Sequence, residues 1–271
     1  MLRKIALLLV VPLLLSGCGP KKSSGPTPTP MTKRQIINAI AYKDRPFVAV
    51  LPHSTGKLLT LYLDKTPQAP QLDIDIEYLA GNALKGGRTS QTLPITTPYY
   101  QGFLLGSCSA GGKCSIDTNI TTGTIKTKFE QGDNLQVLKS NFVFVSKELT
   151  STSDQKATFV PAKGTTYLLD QTHGFIGEVD QEVFAEPIII ASTSKDNIQG
   201  ELSLVAPDAT RILLLDGTKY NPISASKSDD KLKAQINQKP RVVTATIVRD
   251  DLKGAKETID LYLLGPFVAV K

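Results

Sequence analysis

The sequence predicts an all-β fold built of antiparallel β-sandwiches. From Phe47 onward, short apolar segments are separated by turns rich in Gly, Pro, Asn and Asp, about every 8–12 residues as in a sandwich. The segment Leu72–Tyr78 alternates strictly between apolar and acidic residues. One face of that strand carries Leu72, Ile74, Ile76 and Tyr78, and the other carries Asp73, Asp75 and Glu77. Such alternation is typical of an antiparallel strand between a core and solvent.

The first seventeen residues predict export. Arg3 and Lys4 precede an apolar run, Ile5–Leu15, which ends at the small residues Ser16 and Gly17. This order is typical of a secretory signal peptide. The apolar run is shorter than the ~20 residues that a membrane-spanning helix needs. We therefore predict a signal peptide over residues 1–17.

The segment Leu15-Ser16-Gly17-Cys18 resembles the lipobox of bacterial lipoproteins. The resemblance covers residues 1–18 and implies cleavage before Cys18, with lipid on its thiol and its new α-amine. Two or more acyl chains hold a protein firmly at a bilayer. The protein is thus expected outside the cytoplasm, anchored by lipid and facing the periplasm or the cell exterior. Ordinary cleavage nearby, which would leave an unpaired thiol, is the alternative.

Residues 18–44 are predicted to hold the lipidated cysteine, a tether and a short helix. Four prolines between Gly19 and Pro30 favour an extended, semi-rigid chain. The segment Thr32–Ala41 then spaces Ile36, Ile37 and Ile40 as one face of a short amphipathic helix would.

The body is predicted to contain two tandem domains, a β-sandwich over residues 45–182 and an immunoglobulin-like β-sandwich over residues 183–271. A single larger sandwich is the alternative. The second half resembles bacterial immunoglobulin-like modules in Pro207–Gly217 and Arg241–Val248. The first half weakly resembles cohesin-like sandwiches in Leu61–Asp64 and Leu72–Tyr78. These resemblances imply a fold and no functional residues.

Two further cysteines, Cys108 and Cys114, bracket a short Gly-rich segment. An even pair in an exported chain favours a disulfide. Metal binding is the competing interpretation, but the chain has only two histidines, His53 and His173, to complete a ligand set.

No catalytic or cofactor-binding motif is found, and no cofactor is expected. His53 and His173 lie in predicted loops, where a histidine is more often a polar turn residue than a general base. The three acids of Leu72–Tyr78 could suggest calcium, but side chains two apart on a strand project in parallel, so a solvated strand face is expected. The glycine-rich segment Ala80–Arg88 lacks a P-loop ending and is predicted to be a mobile loop.

Charge and composition disfavour two classes of binding partner. The formal net charge is +6 over 271 residues, with no dense basic patch interleaved with aromatics, which disfavours nucleic acid. The absence of tryptophan disfavours a sugar site built on aromatic platforms, although eight tyrosines leave one open.

The sequence therefore predicts a lipid-anchored, non-enzymatic binding or structural module of the cell envelope. Its partners would be the membrane, through Cys18, and an envelope or extracellular protein contacted by the Cys108–Cys114 loop and by residues 81–88. The alternatives are an exported hydrolase whose site assembles from scattered residues, and a solute-binding lipoprotein.

Overall fold

A computed structural model describes residues 33–110, 113–163, 166–249 and 254–271. The predicted signal peptide, Cys18 and the proline-rich tether lie in residues 1–32, outside the described residues.

The predicted all-β, antiparallel sandwich is confirmed. The strands are β1 Arg34–Ile37, β2 Val48–Pro52, β3 Leu58–Leu63, β4 Gln71–Ala80, β5 Ala83–Thr92, β6 Tyr99–Leu104, β7 Gly106–Cys108, β8 Cys114–Ile116, β9 Ile120–Gln131, β10 Asn134–Val145, β11 Ala157–Pro161, β12 Tyr167–Gln171, β13 Ile188–Ser192, β14 Ile198–Val205, β15 Arg211–Asp216, β16 Lys219–Ile223, β17 Ala225–Ser228, β18 Lys231–Gln238, β19 Arg241–Arg249 and β20 Ala255–Val270.

Most strands belong to one long sheet, in the order β2-β3-β6-β19-β20-β13-β12-β10-β9-β4-β5. The two ends of this sheet face each other, so that Leu59 and Leu61 of β3 share a hydrophobic core with Ile74 and Ile76 of β4. A second sheet, in the order β11-β14-β18-β17, covers a second core. Apolar residues that alternate along β14 and β18 fill that core from the second sheet.

The central strands β12 and β13 are buried on both faces, which explains why they are almost continuously apolar. On β13, Ile189 packs in the first core, whereas Ile188 and Ile190 pack in the second. On β12, Leu168 packs in the first core and Leu169 packs in the second. The long sheet is therefore the middle layer, and both cores depend on these two strands.

The predicted boundary near residue 183 does not separate two domains. Strand β12 of the first predicted domain pairs with β13 of the second along its whole length, Tyr167–Gln171. Strand β6 also pairs with β19, where Gln101 is opposite Val248. Residues Lys33–Lys271 form one compact unit, and the single larger sandwich is the architecture observed.

The predicted helix at Thr32–Ala41 is wrong, because Arg34–Ile37 form strand β1 and a 3-10 turn follows at Tyr42–Asp44. The N-terminal part of β10 extends past β12, so its backbone groups need another partner. Strand β1 supplies it through a parallel pairing from Arg34 opposite Asn134 to Ile37 opposite Val137. Across the described ranges, no helix is long and apolar enough to cross a membrane.

Candidate functional site

A groove of about 810 Å³ runs across the outer face of β5, β4, β9 and β10, the face turned away from the first core. We call it the basic groove. Its charged lining residues are Lys85, Arg88, Lys126, Lys128, Lys139, Asp75 and Glu77. Five cations thus stand against two acids, which gives the groove an excess of positive charge.

Strand register places the charges of the groove in rows. Asp75 of β4 is opposite Arg88 of β5 on one side and Lys126 of β9 on the other. Lys126 is in turn directly opposite Lys139 of β10. This row, Arg88–Asp75–Lys126–Lys139, crosses four neighbouring strands and ends with two like charges side by side.

Asp75 holds two of the five cations. The Arg88 guanidinium donates through Nε to Oδ1 and through Nη2 to Oδ2 at 3.2 Å. The Lys128 ammonium donates to Oδ2 at 3.1 Å. The Arg88 hydrogen bonds, together with the ammonium of Lys128, lower the pKa of Asp75 below its usual value. The carboxylate is therefore ionised and committed to these two partners.

Lys85, at the rim of the groove, is also paired. Its ammonium lies 2.7 Å from Oδ1 of Asp117, and the Tyr78 hydroxyl donates to the other carboxylate oxygen at 2.8 Å. The Lys85 hydrogen bond, with that of Tyr78, lowers the pKa of Asp117.

Lys126 and Lys139 are different from the other three cations. Within the described part of the chain, neither ammonium has a hydrogen bond or an ion pair. Like charges directly opposite on neighbouring strands are destabilising. Two unpaired lysines in one row are therefore available to bind an anion.

The glycine-rich segment Ala80–Arg88 is mostly strand rather than the predicted mobile loop. After a turn at residues 81–82, β5 pairs with β4, from Ala83 opposite Ala80 to Thr92 opposite Gln71. A Cβ at Gly86 would lie 2.3 Å from the carbonyl oxygen of Ile76. Glycine is needed there because the β4 backbone is so close. The floor of the groove consequently has no side chain at this position.

The acids of Leu72–Tyr78 lie on the outer face, as the alternation predicts. Asp73 accepts hydrogen bonds from Gln71 at 2.7 Å and Ser90 at 2.5 Å. Within the described ranges, no cluster of three or more His, Cys, Asp or Glu side chains is arranged to hold a metal ion.

Cys108 and Cys114 form a disulfide. They are directly opposite each other on β7 and β8. The short loop that they close was predicted to be a contact surface, and Gly111 and Gly112 at its tip lie outside the described residues.

Neither histidine is the polar surface residue expected from the sequence. His53 is buried in the β2–β3 turn, and its Nδ1 lies 2.7 Å from the Thr55 hydroxyl. His173 is also buried, and neither of its ring nitrogens has a hydrogen-bond partner among the described residues. Burial, with Arg45 nearby, lowers the pKa of His173 to about 3.

A second buried polar group links the middle of the long sheet to the β2 end of that sheet. Asp170 on β12 is fully buried, and its Oδ2 accepts a hydrogen bond of 2.8 Å from the Val50 backbone N–H on β2. Its Oδ1 has no hydrogen-bond partner in the described ranges. Burial raises the pKa of Asp170 well above its ordinary value. This residue is a structural acceptor rather than an accessible acid.

No family model, curated protein or solved structure matches this chain. The resemblances to the lipobox and to immunoglobulin-like and cohesin-like modules therefore stay predictions that rest on the residues quoted above.

Proposed function

We propose that this protein is a lipid-anchored binding module of the cell envelope, and that it uses the basic groove to bind another macromolecule without chemical conversion. The observation that carries the binding role is the row Arg88–Asp75–Lys126–Lys139, in which two lysines have no partner among the described residues. The anchor rests on the sequence Leu15–Cys18 alone.

A catalytic alternative has less support. An exported hydrolase would need a base hydrogen-bonded to a nucleophile and oriented by a third group. In the described ranges, His53 contacts a threonine within its own turn, and His173 contacts no polar group through its ring. The solute-binding alternative expects alternating strands and helices, whereas the described residues form strands and one 3-10 turn.

The anchor is tested by replacing Cys18 with serine in the full chain and following membrane partitioning and incorporation of a labelled fatty acid. We expect both to be lost. The matched control removes the other two cysteines, Cys108→Ser with Cys114→Ser, and should keep both. Labelling that persists in the Cys18→Ser chain would disprove the anchor.

The binding role is tested by sedimenting the full chain with envelope material from the cells that make it. Lys126→Glu with Lys139→Glu should abolish sedimentation, because the groove then repels an anion. Lys231→Glu with Lys233→Glu, which changes the charge equally on exposed positions of β18, should not. Equal behaviour of the two variants would refute a role for the groove.

A further inference from the structure

The groove combines unpaired cations with short polar side chains and few apolar ones. Thr124 and Asn141 line it beside the lysines, and each can exchange hydrogen bonds with hydroxyl groups. The lining includes no Phe, Tyr or His. The groove therefore offers charge and hydrogen bonding, and it has no aromatic platform on which a flat ring could stack.

This chemistry distinguishes among classes of anionic partner. Single-stranded nucleic acids are bound by basic grooves with aromatic side chains on which bases stack, and the aromatic side chains are missing from this lining. Protein interfaces have a buried apolar or aromatic centre, whereas the exposed large apolar side chain here is Leu84 alone, 70% exposed. A groove of about 810 Å³ lies within the roughly 300–1,000 Å³ of sites that enclose a ligand, whereas a bilayer surface is flat.

We propose that the ligand of the basic groove is an anionic polysaccharide, bound across the strands with its carboxylate groups on Lys126 and Lys139. The proposal rests on the function proposed above and names its ligand class. The sugar hydroxyls would be bound by the short polar side chains of β9 and β10. Because the polysaccharide would be recognised by its charge, the site does not need aromatic side chains on which sugar rings stack. The sequence has no tryptophan to provide them.

The position of the two lysines supports this assignment. Lys126 and Lys139 are opposite each other on adjacent strands, where repulsion opposes folding. The nearest carboxylate in the row, Asp75, is already hydrogen-bonded to Arg88 and Lys128. An external anion between the two ammonium groups would remove the repulsion, so that ligand binding and stability should increase together.

The test compares two polymers with the same backbone, polygalacturonate and its fully methyl-esterified form, which has no charge. Each is titrated against the purified full chain in a detergent with a neutral headgroup. We expect the full chain to bind polygalacturonate and not the ester, with an affinity that falls as salt is raised because exposed charges are screened.

Three paired substitutions test the site. Lys126→Gln with Lys139→Gln should weaken binding about tenfold, equal to about 1.4 kcal/mol. Lys126→Arg with Lys139→Arg should keep binding because the charges remain. Lys231→Gln with Lys233→Gln, the matched change on β18, should have no effect. Circular dichroism and the thermal midpoint of each variant report whether it is folded.

Several outcomes would overturn the proposal. They are equal binding of the esterified polymer, an equal loss in the β18 variant, and no binding of polygalacturonate by the full chain. If polygalacturonate does not bind while envelope sedimentation still depends on Lys126 and Lys139, the function stands and the ligand class is wrong. If sedimentation is also independent of these lysines, both proposals fail.

Discussion

Replacement of Asp170 tests how the β2 end of the long sheet is held against the central strand β12. In the structure, its carboxylate is fully buried and accepts one hydrogen bond from the Val50 N–H. Asp170→Ala leaves that buried N–H without an acceptor, which costs about 1–3 kcal/mol. Asp170→Asn keeps an acceptor oxygen of nearly the same shape and should retain most of this stability.

The same pair of variants predicts a dependence on pH. The pKa of Asp170 is raised in the folded protein by burial, so the unfolded chain loses this proton at lower pH than the folded one. Asp170 therefore contributes stability that is fully present below the unfolded pKa and is lost as pH rises through the folded pKa. Asparagine does not ionise, so the stability of Asp170→Asn relative to the wild type should increase as pH rises from acid towards neutral.

Urea unfolding of the full chain at several pH values measures both effects. With an m-value of about 3 kcal/mol/M, the alanine variant should unfold at a midpoint roughly 0.3–1 M below that of the asparagine variant. Asp73→Asn, on the outer face of β4, is the control for loss of a carboxylate outside the core. An asparagine variant with an unchanged pH slope, or an alanine variant as stable as asparagine, would refute the reasoning.

Three more predictions follow from the fold and the groove. Ile189 and Ile190 are neighbours on β13 but pack in different cores. Ile189→Ala and Ile190→Ala should each lower the free energy of unfolding by about 2–5 kcal/mol and shift the midpoint of one shared urea transition. Two separate transitions would indicate separate domains. Cys108→Ser with Cys114→Ser should cost about 2 kcal/mol, since the closed loop is short, and an unchanged urea midpoint would contradict this. Asp75→Asn should strengthen polygalacturonate binding roughly two- to fivefold, because Arg88 and Lys128 lose their internal partner. A lower affinity for polygalacturonate in this variant would show that Asp75 itself helps to bind.

The sequence contains enough local information to predict most strands. The alternation of Leu72–Tyr78 specifies which face of β4 is buried, and the structure buries that face. The apolar segments on either side of residues 52–57 form the hairpin of β2 and β3. In these places the pattern that defines the strand lies within a few consecutive residues.

Strand order could not be predicted in the same way, because it depends on pairings between distant segments. The parallel contact of β6 with β19 joins Gly102 to Arg249, and no local pattern marks it. One signal for a shared sheet was present. The run Ile188–Ala191 has no polar alternation, which is typical of a strand covered on both faces and argues against a domain boundary just before it.

The basic groove was missed for the same reason. On β9, Lys126 and Lys128 alternate with buried residues as any solvated strand face would. Lys139 comes from β10, which directly follows β9, but Arg88 comes from β5, which is far from β9 in the sequence. The segment that contains Arg88 was predicted to be a loop. Only the order β5-β4-β9-β10 brings the five cations to one face.

The segment that was wrongly predicted to be a helix also has a part in this groove. Beyond β1, the Asn38 amide donates to the Lys139 carbonyl oxygen at 3.1 Å and accepts from the Lys139 N–H at 2.8 Å. The Asn38 side chain thus extends the parallel pairing of β1 by one position and pairs the backbone of Lys139. A helix over Thr32–Ala41 would leave these backbone groups of β10 to water. The segment Arg34–Asn38 therefore pairs with β10 as an edge strand, and this pairing holds the backbone that carries Lys139.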